Sequence, residues 1–220
     1  MILTTITTLI IGFTIFKSYK MFQSDKNLIK RVYTQNLKDY PLAFALVIGV
    51  IIGILALASI VPDFMKFSWI SLLSSDGKGT NLVMAPFTSG SIFIVLGFWV
   101  ILSLCLPYLA KDEEVSFRGY TYFRNKRIIE SIKFGFVHMI VGVPIFAAIV
   151  LCFVGYVYSM KYVSGYKNYI KDNQKDKGTK EFAEAANEAG VEKSTSLHAK
   201  YNFILITLVV LSTTLVMLMK

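Results

Sequence analysis

From Leu42 to Val61 the chain runs for twenty residues without a charged side chain. About 20 apolar helical residues are what crossing the ~30 Å hydrocarbon core of a bilayer requires. In lipid the backbone has no water to bond, so such a stretch satisfies its own N–H and C=O groups as a helix. Gly49 and Gly53 stand four apart within it, a spacing that lets helices approach closely, although membrane glycines are also simply common. Four further apolar runs follow the same logic: residues 1–16, about Ser89 to Ala110 with Pro107 near its end, about Val143 to Met160, and about Leu197 to Leu218. The predicted fold is an all-α polytopic transmembrane helix bundle with five strong spans, with residues 1–220 forming a single integral membrane domain. A proline near the end of the third span predicts a kink or a new helix there.

Composition agrees. The chain is 55% hydrophobic and only 17% charged, whereas a soluble domain carries about 25% charge. Its net charge of +9 would suggest nucleic acid in a soluble protein. Here it fits basic loops retained in the cytoplasm, and no zinc-finger, helicase or RNA-binding motif opposes that reading, so no nucleic-acid partner is expected. The segment Lys17 to Tyr40 holds six basic and two acidic residues and is expected to be cytoplasmic, as is 111–127. The first run lacks a basic lead-in, so it reads as an uncleaved span. Residues 63–88, with Trp69 and several phenylalanines, read as an interfacial segment. Residues 161–196 carry seven lysines and six acidic residues and read as a soluble charged insert, helical near Glu181 to Val191. Ser194 or Ser196 would cap the last helix. Cys105 and Cys152 fall in apolar runs with no CxxC pair, so both read as small buried hydrophobes. The expected location is an integral, multi-pass one: the plasma membrane in a prokaryote, the endoplasmic reticulum in a eukaryote.

The polar stretch after the third apolar run is the anomaly. Glu113-Glu114-Val115-Ser116-Phe117-Arg118-Gly119-Tyr120 puts two carboxylates and an arginine at a membrane edge, where charge is costly unless paired or used. Semi-polar helices are expected from about Asp112 to Phe123 and from about Ile128 to His138. At membrane depth they survive only inside a bundle or beside a water-filled cavity. On a helix Glu114 and Arg118 share a face and can pair, which leaves Glu113 free. The only two histidines each have a partner four residues away: Phe134 with His138, and His198 with Asn202. Taken singly each pattern has an ordinary reading, a solvated helix face or a core histidine bonded to a carbonyl. In a bilayer, however, an ionisable residue is a functional candidate by default.

In order the patterns read EExxxR, FxxxH and HxxxN, with FRGY completing the first and Ser194-Thr195-Ser196 leading into the third. This set resembles the CAAX protease and bacteriocin-processing (CPBP) family of intramembrane glutamic endopeptidases, including the Ras-converting type of CAAX prenyl endopeptidase. The resemblance covers about residues 88–215 as a peptidase core; residues 1–87 match only as generic spans. It implies that Glu113 and His138 activate a water, that His198 and Asn202 stabilise the oxyanion, and that Glu114 and Arg118 are scaffold. The chemistry is consistent with general-base and oxyanion catalysis, because a carboxylate in a poorly solvated pocket becomes a competent base near neutral pH.

Two histidines and a glutamate could instead hold catalytic zinc. No HExxH is present, an arginine beside the carboxylates competes with a metal, and the family resemblance implies a metal-independent peptidase, so neither metal nor cofactor is expected. The implied partners are the lipid bilayer and a membrane-associated peptide or protein: a CAAX-type prenyl protein, or a bacteriocin or leader-type peptide. The sequence carries no signal of oligomeric state. One departure from the family is the charged insert at about Gly165 to Val191. Two other functions fit the same composition: a non-proteolytic scaffold or immunity-type protein on this fold, and a small proton-coupled transporter. The latter would more often show two related halves with broken helices, and no such symmetry is visible.

Overall fold

The computed structural model describes residues 2–72, 92–173 and 178–219. Among the described residues every regular element is helical: α1 (Ile2–Ser24), α2 (Leu28–Thr34), α3 (Asp39–Ile60), α4 (Asp63–Lys66), α5 (Ile92–Arg118), α6 (Arg124–Val137), α7 (Ile145–Asp172) and α8 (Lys180–Leu218). Short 3₁₀ turns occupy Trp69–Leu72 and His138–Val141. Four helices, α3, α5, α7 and α8, are long and apolar enough to cross a bilayer, which makes this a membrane protein. The expected first span lies on α1, and the side chains of residues 1–4, 6 and 7 are outside the described residues, as are residues 73–88 of the expected interfacial segment and Ser89 to Ser91 at the head of the third span.

The spans pack through faces written at helical spacing. Ala43, Val47 and Val50 of α3 meet Val150, Val154 and Tyr158 of α7, with Phe134, Leu197 and Tyr201 completing that core. Val95, Leu102 and Leu106 of α5 meet Ile206 and Val210 of α8. Such i, i+3/i+4, i+7 stripes bury one face and leave the other to the surroundings. Here the outward faces are apolar too: Ile52, Leu55, Phe93 and Leu211 are exposed, as lipid-facing positions should be. α8 touches α2, α3, α5 and α7 and is the axis of the bundle.

Three boundaries differ from expectation, each for a local reason. First, α3 begins at Asp39, so Pro41 lies within its opening turn, where a missing N–H costs nothing because that donor has no helical partner. Second, α5 runs through Pro107 to Arg118 without interruption. Proline deprives the carbonyl four residues earlier, that of Ser103, of its helical donor. The Tyr33 hydroxyl of α2 donates to the Ser103 carbonyl at 2.7 Å, replacing the missing bond. Burial pushes the Tyr33 pKa well above that of an ordinary phenol, and it stays a donor.

Third, the charged stretch 161–196 continues the spans on either side of it. α7 extends to Asp172, and α8 starts at Lys180, where the Thr179 hydroxyl accepts from the Phe182 N–H at 3.1 Å. The two extensions approach closely because Gly165 and Gly190 lie between them. A Cβ on Gly165 would come within 2.6 Å of the Ala189 carbonyl, and one on Gly190 within 2.7 Å of the Tyr162 ring. Ser194 and Ser196 are buried inside α8 and are not caps.

One end of the bundle is tied by ion pairs. Lys17 meets Asp112, Arg31 makes a two-bond pair with Asp25 and a third contact with Glu192, Lys111 reaches Asp25, and Lys161 reaches Asp39. These join α1, α2, α3, α5, α7 and α8. The Arg31 guanidinium holds the Asp25 carboxyl below its ordinary value against the opposing effect of burial.

Candidate functional site

The acidic pair occupies the last two turns of α5, near this charged end. The helix stops where Tyr120 takes a left-handed conformation (φ 59°). The Tyr120 N–H donates to Asn187 Oδ1 of α8 at 2.8 Å, and the Thr121 hydroxyl donates to the Arg118 carbonyl at 2.7 Å. Asn187 also accepts from the Tyr162 hydroxyl at 2.7 Å. The end of α5 is thereby bolted to both α7 and α8.

Four side chains form a line. Arg118 Nε lies 3.5 Å from Glu114 Oε2; Glu114 Oε1 lies 2.9 Å from His198 Nδ1; His198 Nε2 lies 3.8 Å from Glu113 Oε2. Glu114 and Arg118 have no exposed side-chain surface, His198 has almost none, and Glu113 keeps 36% of its own. The expected division of the pair is therefore present, with Glu114 engaged by arginine and Glu113 turned away. Glu113 is wetter than a poorly solvated base should be. Arg118 is held loosely by polar contacts, with Nη1 3.4 Å from the carbonyls of Phe117 and Glu130. Its guanidinium carbon sits 4.9 Å from the centroid of the Phe134 ring, a cation–π contact that matters most where water is absent.

Both histidines have a readable tautomer. His138 caps α6, and its Nδ1 is 2.7 Å from the Phe134 carbonyl. A carbonyl only accepts, so Nδ1 carries the proton and a neutral ring keeps a lone pair on Nε2. The same argument applies to His198, whose Nδ1 faces the Glu114 carboxylate. In both rings Nε2 is the nitrogen left for chemistry. Phe134 stands between them, with ring centroids 4.8 Å from His138 and 5.5 Å from His198.

His138, His198 and Asn202 line one cavity of about 390 Å³ between α3, α6, α7 and α8. Its remaining wall is largely aliphatic and aromatic, including Val50, Ile54, Phe146, Leu151 and Leu205. Glu113 is not part of the lining and approaches it through His198. Four of the six expected site residues, Glu113, Glu114, Arg118 and His198, thus lie in one polar line, and His138 and Asn202 join His198 at the cavity. Among the described residues no group of three or more His, Cys, Asp or Glu is placed to hold a metal ion.

No family model, curated protein or solved structure matches the chain. The likeness to the peptidase family rests on the three motifs alone.

Several residues that build this site carry no motif. Tyr158 stacks on His198 with centroids 4.5 Å apart and planes at 23°, and Tyr201 packs edge-on against Tyr158 at 6.2 Å. Both phenols line the cavity, both are buried, and neither hydroxyl has a hydrogen-bond partner. A buried polar group left so costs roughly 1–3 kcal/mol. Lys200, two residues past His198 and so on the opposite side of α8, donates to the carbonyls of Gln35 and Asn36 at 2.8 and 3.0 Å and to Ser196 Oγ at 2.9 Å. That anchor fixes the rotation of α8 and turns His198 and Asn202 toward the cavity. Ser196 in turn donates to Asp39 at 3.2 Å.

Gly155 leaves the room that the arginine needs. A Cβ there would stand 2.8 Å from Phe134 Cδ1 and 3.0 Å from Arg118 Nη2. Gly155→Ala should therefore displace the ring and guanidinium together and destabilise the fold by about 1–3 kcal/mol, the usual cost of overpacking. Thermal melting in detergent measures it. A melting point equal to that of the parent would mean that the site yields without strain.

Proposed function

We propose that the chain is an intramembrane endopeptidase of the CPBP type, which hydrolyses a peptide bond of a membrane-associated substrate. The observation that supports the reading best is the meeting of the three motifs: His198 lies between Glu113 and Glu114, and shares its cavity with His138 and Asn202. In this reading α1 is a fifth span, and the chain is a multi-pass protein of the plasma membrane or the endoplasmic reticulum. The apolar cavity takes the lipid-like or apolar part of a prenylated CAAX-type protein or a leader-type peptide.

The roles follow from the atoms available. Glu113 accepts a proton from the attacking water and returns it to the leaving amine nitrogen as the C–N bond breaks. His138, whose Nε2 is an acceptor in the neutral ring, shares that task. His198 donates from Nε2 to the developing oxyanion when its ring is doubly protonated, with Nδ1–H held by Glu114. Asn202 donates from its amide, one turn further along α8. Glu114 and Arg118 form the support: they neutralise each other and aim the imidazole, as the third member of a nucleophile–base–orienter set does.

One observation favours a second reading, a protein on this bundle that binds a peptide without cutting it: Glu113 stands off the cavity lining and is a third exposed. Purified protein incubated with farnesylated CAAX-type peptides and with bacteriocin-leader peptides, beside a Glu113→Ala control, separates the two. Cleavage by the parent and none by the control is expected, with strong chelation leaving the rate largely unchanged. Activity that vanishes on chelation and returns only with zinc would move the site to the metallo class. Binding with no cleavage by the parent would establish the second reading.

A further inference from the structure

The turn that carries His138 has no core of its own. None of the residues His138–Val141 is buried, and Ile140 is 69% exposed. A segment with so few buried contacts belongs to the low-stability end of a structure. Three consecutive residues from a distant part of the chain grip it instead. The Trp69 indole N–H donates to the Met139 carbonyl at 2.8 Å, and the Ser68 hydroxyl donates to the Gly142 carbonyl at 2.6 Å. Ile70, with no exposed surface, fills the space over Gly142, where a Cβ would stand 2.1 Å from Ile70 Cδ1. Gly142 is left-handed (φ 92°), and its N–H turns back to the His138 and Met139 carbonyls. The Val143 N–H donates to the His138 carbonyl at 3.1 Å. The clasp therefore acts on the main chain on the C-terminal side of His138, and the cavity wall continues from His138 to Val143 and Pro144 across this turn.

We propose that Ser68, Trp69 and Ile70 are positioning residues, which hold His138 Nε2 in place at the cavity by fixing the turn beneath it. The inference rests on the peptidase reading for the task of His138. The two histidines are mounted differently. His198 has Glu114, on another helix, to aim its Nδ1, whereas His138 Nδ1 bonds the Phe134 carbonyl of its own helix. Nothing in that bond sets where the helix end itself lies, so the place of His138 Nε2 follows the backbone. Both hydrogen bonds of the clasp go to backbone carbonyls, and they join parts of the chain 70 and 74 residues apart. The clasp thus ties the stretch after α4 to the end of α6. A group that shares the attacking water must be held closely, since a misplacement of about 1 Å can cost on the order of 100-fold in rate.

The chain has two histidines, which makes the test direct. Full-length protein in detergent, with ¹⁵N in its imidazoles, gives two sets of ring signals, assigned by His138→Gln. Ser68→Ala with Trp69→Phe removes both donors and keeps most of the bulk of each side chain. The double variant should shift or broaden the His138 signals and leave those of His198 in place. With a farnesylated CAAX-type peptide, kcat per folded molecule should fall by roughly tenfold, as for a misplaced group, with KM nearly unchanged. Unmoved His138 signals would overturn the inference. So would a movement of both histidines together with a lower melting temperature, which marks a structural role, and so would a moved His138 with an unchanged kcat. If the parent cuts no peptide, the peptidase reading fails, and the ring signals decide the inference by themselves. Should the double variant not fold, Trp69→Phe alone, which removes one donor and keeps an aromatic ring, is read by the same criteria.

Discussion

Glu114→Gln is expected to lower the melting temperature and the yield of the protein before it affects chemistry. The amide keeps the shape and can still accept from His198 Nδ1, so the hydrogen bond at 2.9 Å survives in outline. The loss falls on Arg118. Its side chain has no exposed surface and Glu114 is its one ion-pair partner among the described residues. The neighbouring carbonyls at 3.4 Å and the Phe134 face cannot replace a full negative charge. Removing one member of a buried pair costs about 3–5 kcal/mol, because the other is left charged and uncompensated. Specific activity per folded molecule should fall far less than yield. Exchanging the charges, Glu114→Arg with Arg118→Glu, should restore folding only in part, since the planar guanidinium would meet contacts shaped for a carboxylate.

Glu113→Gln should do the opposite. Glu113 is a third exposed, its nearest ionisable neighbour, His198 Nε2, is 3.8 Å away, and its buried Oε2 has no hydrogen-bond partner. Stability should therefore move by less than about 0.5 kcal/mol, as for a surface substitution. Turnover should fall by about 100- to 10,000-fold, the usual share of a general base. Melting and specific activity measured for both variants in one detergent decide the assignment. A Glu113→Gln protein that melts early, beside a Glu114→Gln protein that stays folded and inactive, would mean the two glutamates have exchanged roles.

What could be read from the sequence was local or compositional. The apolar runs at Leu42 and Val143 announce α3 and α7, because bilayer thickness dictates their length. The Glu114–Arg118 pair is four residues apart on one helix, so its geometry is legible without a fold. The bond between His198 and Glu114 is not, since it spans 84 residues and depends on how α5 and α8 cross. The start of α8 is legible only in part. Helix was expected near Glu181 to Val191 and is there, but its continuity with the last span was not expected, although Phe182, Ala186 and Gly190 place a buried residue every fourth position along it. Polar residues on the other face masked that stripe. Tyr158 and Tyr201 were invisible for a different reason: in a chain with twelve tyrosines, only the surroundings of a hydroxyl distinguish one from the next.

The carbonyl that Pro107 leaves without a helical donor implies an order of assembly. α5 can enter the bilayer as an isolated span, but until α2 docks the Ser103 oxygen has no donor from within its own helix. The Tyr33 hydroxyl that supplies one belongs to a short helix of seven residues, too short to hold itself together alone. Each part thus completes the other: α2 is ordered by a fault in α5, and the fault is repaired only when α2 has been ordered. A single missing hydrogen bond in a continuous apolar helix here serves as a latch, closing when the short helix between α1 and α3 docks against it.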